Sequence, residues 1–344
     1  RGGVLEAGDY DERRFLYHLF VQKLADEQLA SLAAKAGHPG LYLDLPLGVH
    51  PAGFDVWRAP ESFAAGVAGG APPDRFFTKG QNWSFSALHP EQIRANGLDY
   101  WFRCLRHHLK HAGVLRLDHF MGLHRLYWIP RGAEASEGTY VQYPAEEMYA
   151  AVCLESARNQ AWIIGEDLGT VPKYVRKRMT DHGIDRMYVA QFSVRDDPAA
   201  ALRPAPADAV ATVNTHDTPT WAAFWAAEDV DDQVAMGLLT DEEAEQTRQG
   251  RAKARAALAK FFDVAEDRDA VLHAIVDRMG KGAARAVIVT LEDLWGETAP
   301  QNTPGTGPER PNWRRKARLS LEEMQASTDV VEALRALAKS RVQT

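Results

Sequence analysis

Three short segments of the chain each end an aliphatic run with a carboxylate, and this feature constrains the fold most strongly. The segments are residues 115–119, 164–169 and 214–218, and their acids are Asp118, Glu166 and Asp217. In a β/α barrel the catalytic residues come from the C-terminal ends of several strands, whereas helices cover the outside. An acid at a strand end, repeated about every fifty residues, therefore predicts a barrel enzyme whose chemistry depends on these three side chains.

Strand-like and helix-like segments alternate along the rest of the chain. Strands are expected at residues 41–49, 114–120, 161–165, 187–192, 210–213 and 286–291. Helices are expected at about residues 11–36, 94–112, 144–158 and 172–182, and a helical insertion at 220–280. This alternation is typical of a parallel sheet with helices on both faces. We therefore expect an α/β fold of the (β/α)8 TIM-barrel type.

The number of strands predicts that this barrel is incomplete. A closed parallel barrel has eight strands, and about six can be recognised here. The segment after residue 291 contains a capping box at residues 320–323, which predicts a helix, but no further strand. We therefore expect residues 1–344 to form a single, partial catalytic domain whose N-terminal part is missing. The first residue is Arg1 and not Met, which agrees with this expectation.

Composition and charge exclude several classes of function. The chain of 344 residues is 45% hydrophobic and 25% charged, as is usual for a globular protein. Its net charge is −7 and it has no basic stripe, so no nucleic-acid partner is expected. No apolar run approaches the roughly 20 residues that cross a bilayer, so no membrane partner is expected. Two cysteines are too few for a disulfide framework, which favours a cytoplasmic location.

The first acidic segment places a cation beside the acid. Arg116 precedes Asp118 by two residues, so both side chains lie on the same face of a strand. A neighbouring guanidinium favours the ionised carboxylate that a nucleophile needs. A purely structural ion pair is the alternative, but His119 and Arg125 nearby favour a functional site.

The second acidic segment has a glycine before the acid. Gly165 lets a ligand or a second backbone segment approach Glu166 closely. A carboxyl group enclosed there and facing a second acid is expected to have a raised pKa and to donate a proton. The alternative is that Glu166 and Asp167 form a solvated pair that caps the next helix, and Asp167 fits that lesser role.

The third acidic segment and the region 50–90 indicate a carbohydrate ligand. The adjacent His216 and Asp217 suit recognition of sugar hydroxyls, although a satisfied polar pair explains them equally well. Residues 72–83 combine aromatic rings with Asn, Gln and Asp, as a sugar-binding groove requires. We interpret the irregular region 50–90 as a loop that covers substrate, with packing of the loop on its own aromatics as the alternative. The glycines of 66–70 are interpreted as a flexible turn.

Several longer motifs occur in a fixed order from about residue 12 to about residue 318. They are Asp44-Leu-Pro, Gly69-Gly-Ala-Pro-Pro-Asp, Gly80-Gln-Asn-Trp, Arg116-Leu-Asp-His-Phe-Met-Gly, Gly165-Glu-Asp-Leu-Gly, Thr215-His-Asp-Thr-Pro-Thr, Asn302-Thr-Pro-Gly-Thr and Pro311-Asn-Trp-Arg. Together they closely resemble the C-terminal two-thirds of the 4-alpha-glucanotransferase family, which are also called amylomaltases or disproportionating enzymes.

The resemblance implies a role for each matching residue. Asp118 corresponds to the nucleophile, Glu166 to the general acid/base and Asp217 to the carboxylate that stabilises the transition state. The substrate-binding candidates are Arg116, His119 and His216 around the donor glucose, Asp74 and Trp83 in the mobile loop on the acceptor side, and Asp167 and Asn302 in the remaining motifs.

The resemblance also implies a reaction. A retaining 4-alpha-glucanotransferase moves segments of α-1,4-glucans, such as maltooligosaccharides or fragments of starch and glycogen, through a covalent glucosyl-Asp118 intermediate. No metal and no organic cofactor is expected. Three alternatives are an α-amylase-like hydrolase, a barrel enzyme that binds Mg²⁺ through the three acids, and an inactive glycan-binding fragment.

Overall fold

The computed structural model describes residue 6, residues 8–73 and residues 79–342. The chain divides into two compact units, Arg1–Asp185 and Arg186–Thr344. The prediction of a single partial barrel domain stays a prediction. No helix in these described ranges is both long enough and apolar enough to cross a membrane.

The described strands of the first unit form one parallel and one antiparallel sheet. Its strands are β1 (Leu41–Leu45), β2 (Val67–Ala71), β3 (Gln81–Asn82), β4 (Ala112–Leu117), β5 (Arg125–Pro130), β6 (Thr139–Gln142) and β7 (Trp162–Gly165). Its helices are α1 (Glu12–Lys35), α2 (Phe54–Arg58), α3 (Pro90–Ala95), α4 (Asp99–Leu109), α5 (Ala145–Asn159) and α6 (Lys173–Asp181). The parallel sheet has the order β1-β4-β7, and the antiparallel sheet has the order β3-β2-β5-β6.

The parallel sheet is central in the first unit because β4 is almost entirely buried. Leu115 of β4 has no exposed surface and belongs to the same apolar cluster as Leu105 of α4 and Val152 of α5. Because both faces of β4 are buried, its sequence is mainly aliphatic and does not alternate between apolar and polar residues. The buried strand β4 therefore fixes the position of the first acidic segment, whose first three residues belong to it.

The second unit contains a parallel sheet with the order β10-β9-β8. Its strands are β8 (Arg186–Val189), β9 (Ala209–Thr212) and β10 (Ala286–Ile288), and its helices are α7 (Trp221–Ala226), α8 (Glu228–Ala235), α9 (Asp241–Phe262), α10 (Arg268–Gly280), α11 (Leu291–Leu294), α12 (Leu321–Ala326) and α13 (Thr328–Val342). Every residue of β9 is buried. Leu258 of α9 and Ile275 of α10 belong to the same core as Ala211 of β9.

The α/β alternation expected from the sequence is confirmed. Each of the six predicted strands is present, as β1, β4, β7, β8, β9 and β10. The helical region 220–280 consists of α7, α8, α9 and α10. The single helix predicted over 94–112 is wrong, because it is two helices, α3 and α4. Gly97 and Leu98 separate them with left-handed backbone at φ values of 62° and 58°, which an α-helix cannot include.

The region 50–90 is not irregular throughout, and the turn predicted for the glycines of 66–70 is present at Gly66, with φ at 77°, but not at Gly69 and Gly70. They lie in and beside β2, which pairs with both β3 and β5. A Cβ on Gly70 would lie 2.2 Å from the Gln81 carbonyl oxygen, and one on Gly69 would lie 2.1 Å from the Phe85 ring. Strand β2 therefore packs closely because it lacks side chains, and the β-branched residues that would have predicted a strand are replaced by glycine.

Helix α1 forms where the sequence predicted it, with Asp11 as its N-cap accepting the Arg14 N–H. None of its residues is buried. Its larger apolar side chains are more than half exposed in several cases, with Leu16 at 53%, Leu19 at 56% and Phe20 at 58%. The helical periodicity therefore creates an apolar face that the described part of the first unit leaves largely uncovered.

Candidate active site

Asp118 and Glu166 extend from neighbouring strands at the same level of the parallel sheet. In the β4–β7 pair Leu117 lies opposite Gly165, and the two acids are the next residues along each strand. The Glu166 N–H donates to the Leu117 carbonyl oxygen at 2.9 Å, and the Asp118 N–H donates to that of Leu45 at 3.0 Å. The register therefore brings both acids to one edge of the sheet, because strands in such pairs are about 4.8 Å apart.

Arg116 joins two carboxylates at this edge. Its Nη2 donates to Asp118 Oδ1 at 2.7 Å, and its Nη1 donates to both oxygens of Asp44 at 2.7 and 2.8 Å. Only 5% of Arg116 is exposed, and Asp44 lies opposite it in the β1–β4 register. The sequence predicted the contact with Asp118 but did not single out Asp44, although Asp44 begins one of the family motifs.

Glu166 is a buried acid held by two backbone amides. Its residue exposure is 9%, its Oε2 accepts the His119 N–H at 3.0 Å, and its Oε1 accepts the Leu168 N–H. Burial, and then the charge of Asp118, raise the pKa of Glu166 to about 7, against the opposing effect of the Leu168 N–H. A carboxyl group with this pKa can donate and accept a proton near neutral pH. The shift has the direction that the sequence predicted.

His119 and Trp83 lie together beside these acids. The backbone of His119 is left-handed, with φ at 43°, and burial lowers the pKa of its imidazole. The Trp83 ring contacts it edge-on, with 5.2 Å between the centroids, and stacks on the Phe85 ring at 6.0 Å. The backbone N–H of Trp83 donates to the Gly69 carbonyl oxygen of β2, and its indole N–H donates to Gln81 Oε1 of β3, so the antiparallel sheet holds this ring. Asp74, the other predicted loop residue, lies outside the described residues.

Asp167 is buried and forms an ion pair with Arg176 of α6. Only 5% of it is exposed. Arg176 of α6 donates through Nε to Asp167 Oδ2 at 2.7 Å and through Nη2 to the Asp167 carbonyl oxygen at 2.9 Å. The alternative of a solvated Glu166–Asp167 pair is therefore wrong, since both acids are withdrawn from water.

The second unit gathers the remaining predicted residues around Asp217. His216 Nε2 lies 3.1 Å from Asp217 Oδ2, and Asn302 Nδ2 donates to Asp217 Oδ1 at 2.7 Å. The His216 ring contacts the Trp313 ring, with 5.2 Å between centroids. Trp313 is 64% exposed and was not predicted as a site residue, although it lies in the motif at 311–314. Its exposed ring beside a polar pair is the signal that could have identified it.

A buried carboxylate, Asp293 of α11, contacts both ends of the segment 214–221, which carries His216 and Asp217. It was not identified from the sequence. It accepts hydrogen bonds from the Asn214 side chain and the Trp221 backbone. Its signal in the sequence is weak, because an acid in a short helix is normally solvated. Within the described residues there is no group of three or more His, Cys, Asp or Glu side chains placed to hold a metal ion.

Comparisons with known proteins identify a single family. A family model described as 4-alpha-glucanotransferase matches residues 4–321. A 4-alpha-glucanotransferase of Mycobacterium tuberculosis is 37% identical over 328 residues, which are 91% of this chain and 45% of that protein. One of Haemophilus influenzae is 34% identical over 318 residues, or 87% of this chain and 46% of that protein.

A solved structure is also similar to the chain. The crystal structure of amylomaltase from Corynebacterium glutamicum has a TM-score of 0.83 and 28% sequence identity, and the match covers 99% of this chain and 52% of that one. The chain thus spans about half the length of the relatives that it matches.

Proposed function

The chain belongs to the 4-alpha-glucanotransferase family, and we propose that the protein carrying it transfers α-1,4-glucan segments from a donor to an acceptor glucan or glucose. The observation that carries this proposal is the pair of acids at the ends of β4 and β7. Asp118 is bonded to a buried guanidinium, whereas Glu166 is buried with a pKa of about 7. One carboxylate suited to attack and one suited to protonation are what a retaining glycosidic reaction needs.

In the first step Asp118 attacks the anomeric carbon of the donor. The glycosidic bond to the leaving oxygen breaks as the bond to Asp118 Oδ forms, and protonated Glu166 gives its proton to that oxygen. The products are a covalent glucosyl-Asp118, an ionised Glu166 and a shortened glucan. Retaining enzymes keep these carboxyl groups about 5–5.5 Å apart, and acids from adjacent parallel strands are consistent with such a separation.

In the second step Glu166 accepts the proton of an incoming 4-hydroxyl group. The hydroxyl oxygen attacks the anomeric carbon, the bond to Asp118 breaks, and a new α-1,4 bond forms. Glu166 is protonated again and the cycle closes. We assign to Asp217, from the family resemblance, the stabilisation of the positive charge that develops on the sugar in both transition states. The chemistry calls for no metal or organic cofactor.

The other predicted residues are proposed to bind the glucan. Arg116, His119 and His216 are assigned to the donor glucose, and Asn302 supports the Asp217 carboxylate to which it is bonded. Trp83, with Asp74, is assigned to the acceptor side, where an aromatic cover favours a sugar over water. The burial of Asp167 and its pairing with Arg176 support a different role, that of holding the segment after β7 in place. A cytoplasmic location stays a prediction.

Maltotriose tests the transferase assignment. Incubation of maltotriose with the protein encoded by the full reading frame should give glucose and a ladder of longer maltooligosaccharides. The number of reducing ends should stay unchanged. The Asp118→Asn variant is the matched blank. Glucose and maltose alone, with a rising number of reducing ends, would instead identify an α-amylase-like hydrolase.

We also propose that the barrel draws further strands from outside this chain. Three observations support this: six parallel strands among the described residues, relatives about twice as long, and the exposed apolar face of α1. A parallel barrel of this type closes with eight strands. The two missing strands and the elements that accompany them would cover that face.

A further inference from the structure

The segment 214–221, which joins β9 to α7 and carries His216 and Asp217, is held at both ends by one side chain. Asn214 Nδ2 donates to Asp293 Oδ1 at 3.0 Å and to Oδ2 at 2.8 Å. The Trp221 N–H, in the first turn of α7, donates to Asp293 Oδ1 at 2.8 Å. A carboxylate from α11 thus joins the first and last residues of the segment.

This arrangement is withdrawn from water. Asp293 is 2% exposed, Asn214 is 3% exposed and Trp221 is fully buried. Burial raises the pKa of Asp293 to about 6, against the opposing effects of the Trp221 N–H and the Asn214 amide. A buried carboxylate costs several kcal/mol unless its oxygens accept hydrogen bonds. Here both oxygens do, and the donors that satisfy them are the two ends of one segment.

Further bonds fix the same base. The Thr290 hydroxyl donates to Asn214 Oδ1 at 2.8 Å, and the Thr212 hydroxyl donates to the Asn214 carbonyl oxygen at 2.8 Å. Gln191 Nε2 donates to the Pro219 carbonyl oxygen at 3.0 Å. These contacts leave Asn214 no freedom to rotate its amide, so its NH₂ group faces Asp293 only.

The residues between the two ends form a tight turn with exposed side chains. The Thr215 N–H donates to the Thr218 hydroxyl at 2.9 Å, and the Thr218 N–H donates back to the Thr215 carbonyl oxygen at 3.2 Å. The side chains at its tip, His216 and Asp217, are 35% and 41% exposed. A short turn with a rigid base transmits the position of that base directly to the Asp217 carboxylate.

We propose that Asp293 is a positioning residue for the transfer reaction, which fixes both ends of the segment 214–221 and so sets where Asp217 and His216 are presented to the sugar. The inference rests on the proposed function for the roles of those two residues. Asp293 itself does not touch the sugar, since it is buried at the base of the turn.

The decisive comparison is between Asp293→Asn and an exchange of the two partners. In Asp293→Asn one NH₂ group would face the NH₂ group of Asn214, so one bond is lost and two donors are opposed. In the double variant Asn214→Asp with Asp293→Asn, the new Asp accepts from the new Asn and from Thr290, and the new Asn still accepts from Trp221. The exchange restores one of the two hydrogen bonds between residues 214 and 293, keeps those of Trp221 and Thr290, and moves the charge to residue 214.

The expected results are kinetic. Asp293→Asn should lower kcat for maltotriose by about 10- to 100-fold with little change in KM, because a displacement of about 1 Å of a catalytic group can cost that much. The exchanged variant should recover most of the lost kcat. Unchanged kcat in folded Asp293→Asn, or no recovery on exchange, would overturn the proposal.

The Glu155→Gln variant controls for the loss of a buried carboxylate as such. Glu155 on α5 is also 2% exposed and is bonded to Arg106 and Arg158. This variant should lower the Tm and leave kcat within about twofold of the wild type. An equal loss of kcat in Glu155→Gln would show that the effect of Asp293→Asn is one of general stability, against the proposal.

Hydrogen–deuterium exchange separates this inference from the proposed function. Peptides covering 214–221 should exchange faster in Asp293→Asn than in the wild type, and should be unaffected in Glu155→Gln. This comparison needs no glucan. If the wild type transfers no glucan but exchange rises in Asp293→Asn, the proposed function fails and the positional role of Asp293 stands. Unchanged exchange in Asp293→Asn contradicts that role in either case.

Discussion

Glu166 shows how one side chain acquires its chemistry from its surroundings. The carboxyl group is almost fully buried and faces the charge of Asp118, and both effects raise its pKa to about 7. Two backbone N–H groups hold its oxygens in place. The residue can therefore be protonated or ionised near neutral pH, as the proposed transfer requires.

The first prediction at this scale concerns pH. Glu166 must be protonated to release the leaving group, so kcat/KM for maltotriose should fall by about tenfold per pH unit above about pH 7, because kcat/KM reports the free enzyme. The profile should be measured for the wild type and for Glu166→Gln with maltosyl fluoride, whose leaving group needs no proton. A falling limb that persists in Glu166→Gln would assign the titration to another group.

The raised pKa of Glu166 also makes the stability of the folded protein depend on pH. The pKa of Glu166 in the folded protein lies above its usual value of 4.5, so the folded state binds the proton more tightly than the unfolded state. Its contribution is fully present below about pH 4.5 and is lost as the pH rises to about 7, by about 3 kcal/mol at most. Urea unfolding across this range should show a larger loss in the wild type than in Glu166→Gln, which keeps the part of the loss that the raised pKa of Asp293 causes.

The second prediction separates the roles of the two acids. Asp118→Asn should abolish transfer from every donor, because no covalent intermediate can form without the carboxylate. Glu166→Gln should lose about 10²–10⁴-fold with maltotriose but much less with maltosyl fluoride. Circular dichroism checks that both variants are folded. Substantial turnover by Asp118→Asn would show that the nucleophile is another residue.

At the scale of elements, β2 shows how glycine can specify a strand. Its neighbours β3 and β5 approach so closely that the Gln81 carbonyl oxygen and the Ile129 side chain occupy the space of a Cβ at Gly70. Two of the five β2 residues are glycines in contact with neighbouring segments. The strand is therefore defined by what packs on it, and Trp83 beside His119 depends on the resulting sheet.

This packing gives the third prediction. Gly70→Ala should lower the free energy of unfolding by about 1–3 kcal/mol, because the added methyl group has no room. Gly250→Ala is the matched control: Gly250 lies within α9 with no atom near its Cβ position, so alanine should raise stability by about 0.5–1 kcal/mol. Denaturant midpoints measure both effects. Equal midpoints for the two variants would contradict the account of β2.

At the scale of the whole molecule, the described part of this chain does not account for what stabilises helix α1. A 24-residue helix with no buried residue gains little stability from packing on the described part of this unit, to which Asp26 joins it through Lys110 and His111. Its exposed Phe15, Leu16 and Phe20 are of the type that normally lies against another element. This agrees with the proposal that further strands and helices complete the barrel.

The fourth prediction tests that proposal. The polypeptide encoded upstream of this chain should be supplied, either fused to it or as a separate chain. Its addition should raise the Tm and solubility of this chain and restore glucan transfer. The double variant Phe15→Ser with Phe20→Ser should leave the Tm of the isolated chain nearly unchanged, but should lower that of the completed protein. Eight parallel strands drawn wholly from this chain, or full activity of the chain alone, would refute the proposal.

Local patterns were sufficient for much of this protein. The six parallel strands could be predicted because each lies in a short, mainly apolar run bounded by turn residues. The candidate acids could be predicted because each follows such a run directly. The direction of the Glu166 pKa shift was expected from the sequence, but its two main causes, burial and the charge of Asp118, arise from the packing of β4 beside β7.

Only the tertiary structure decided which partners hold those acids. Asp44 reaches Arg116 through the register of β1 with β4, and Asp293 reaches Asn214 from 79 residues along the chain. Trp83 meets His119 through an antiparallel sheet whose central strand has little side-chain signal. The sequence by itself therefore determined the strands and the acids at their ends, because burial and periodicity are encoded locally. The hydrogen bonds that position those acids were decided by long-range pairing, because their donors and acceptors become neighbours only on folding.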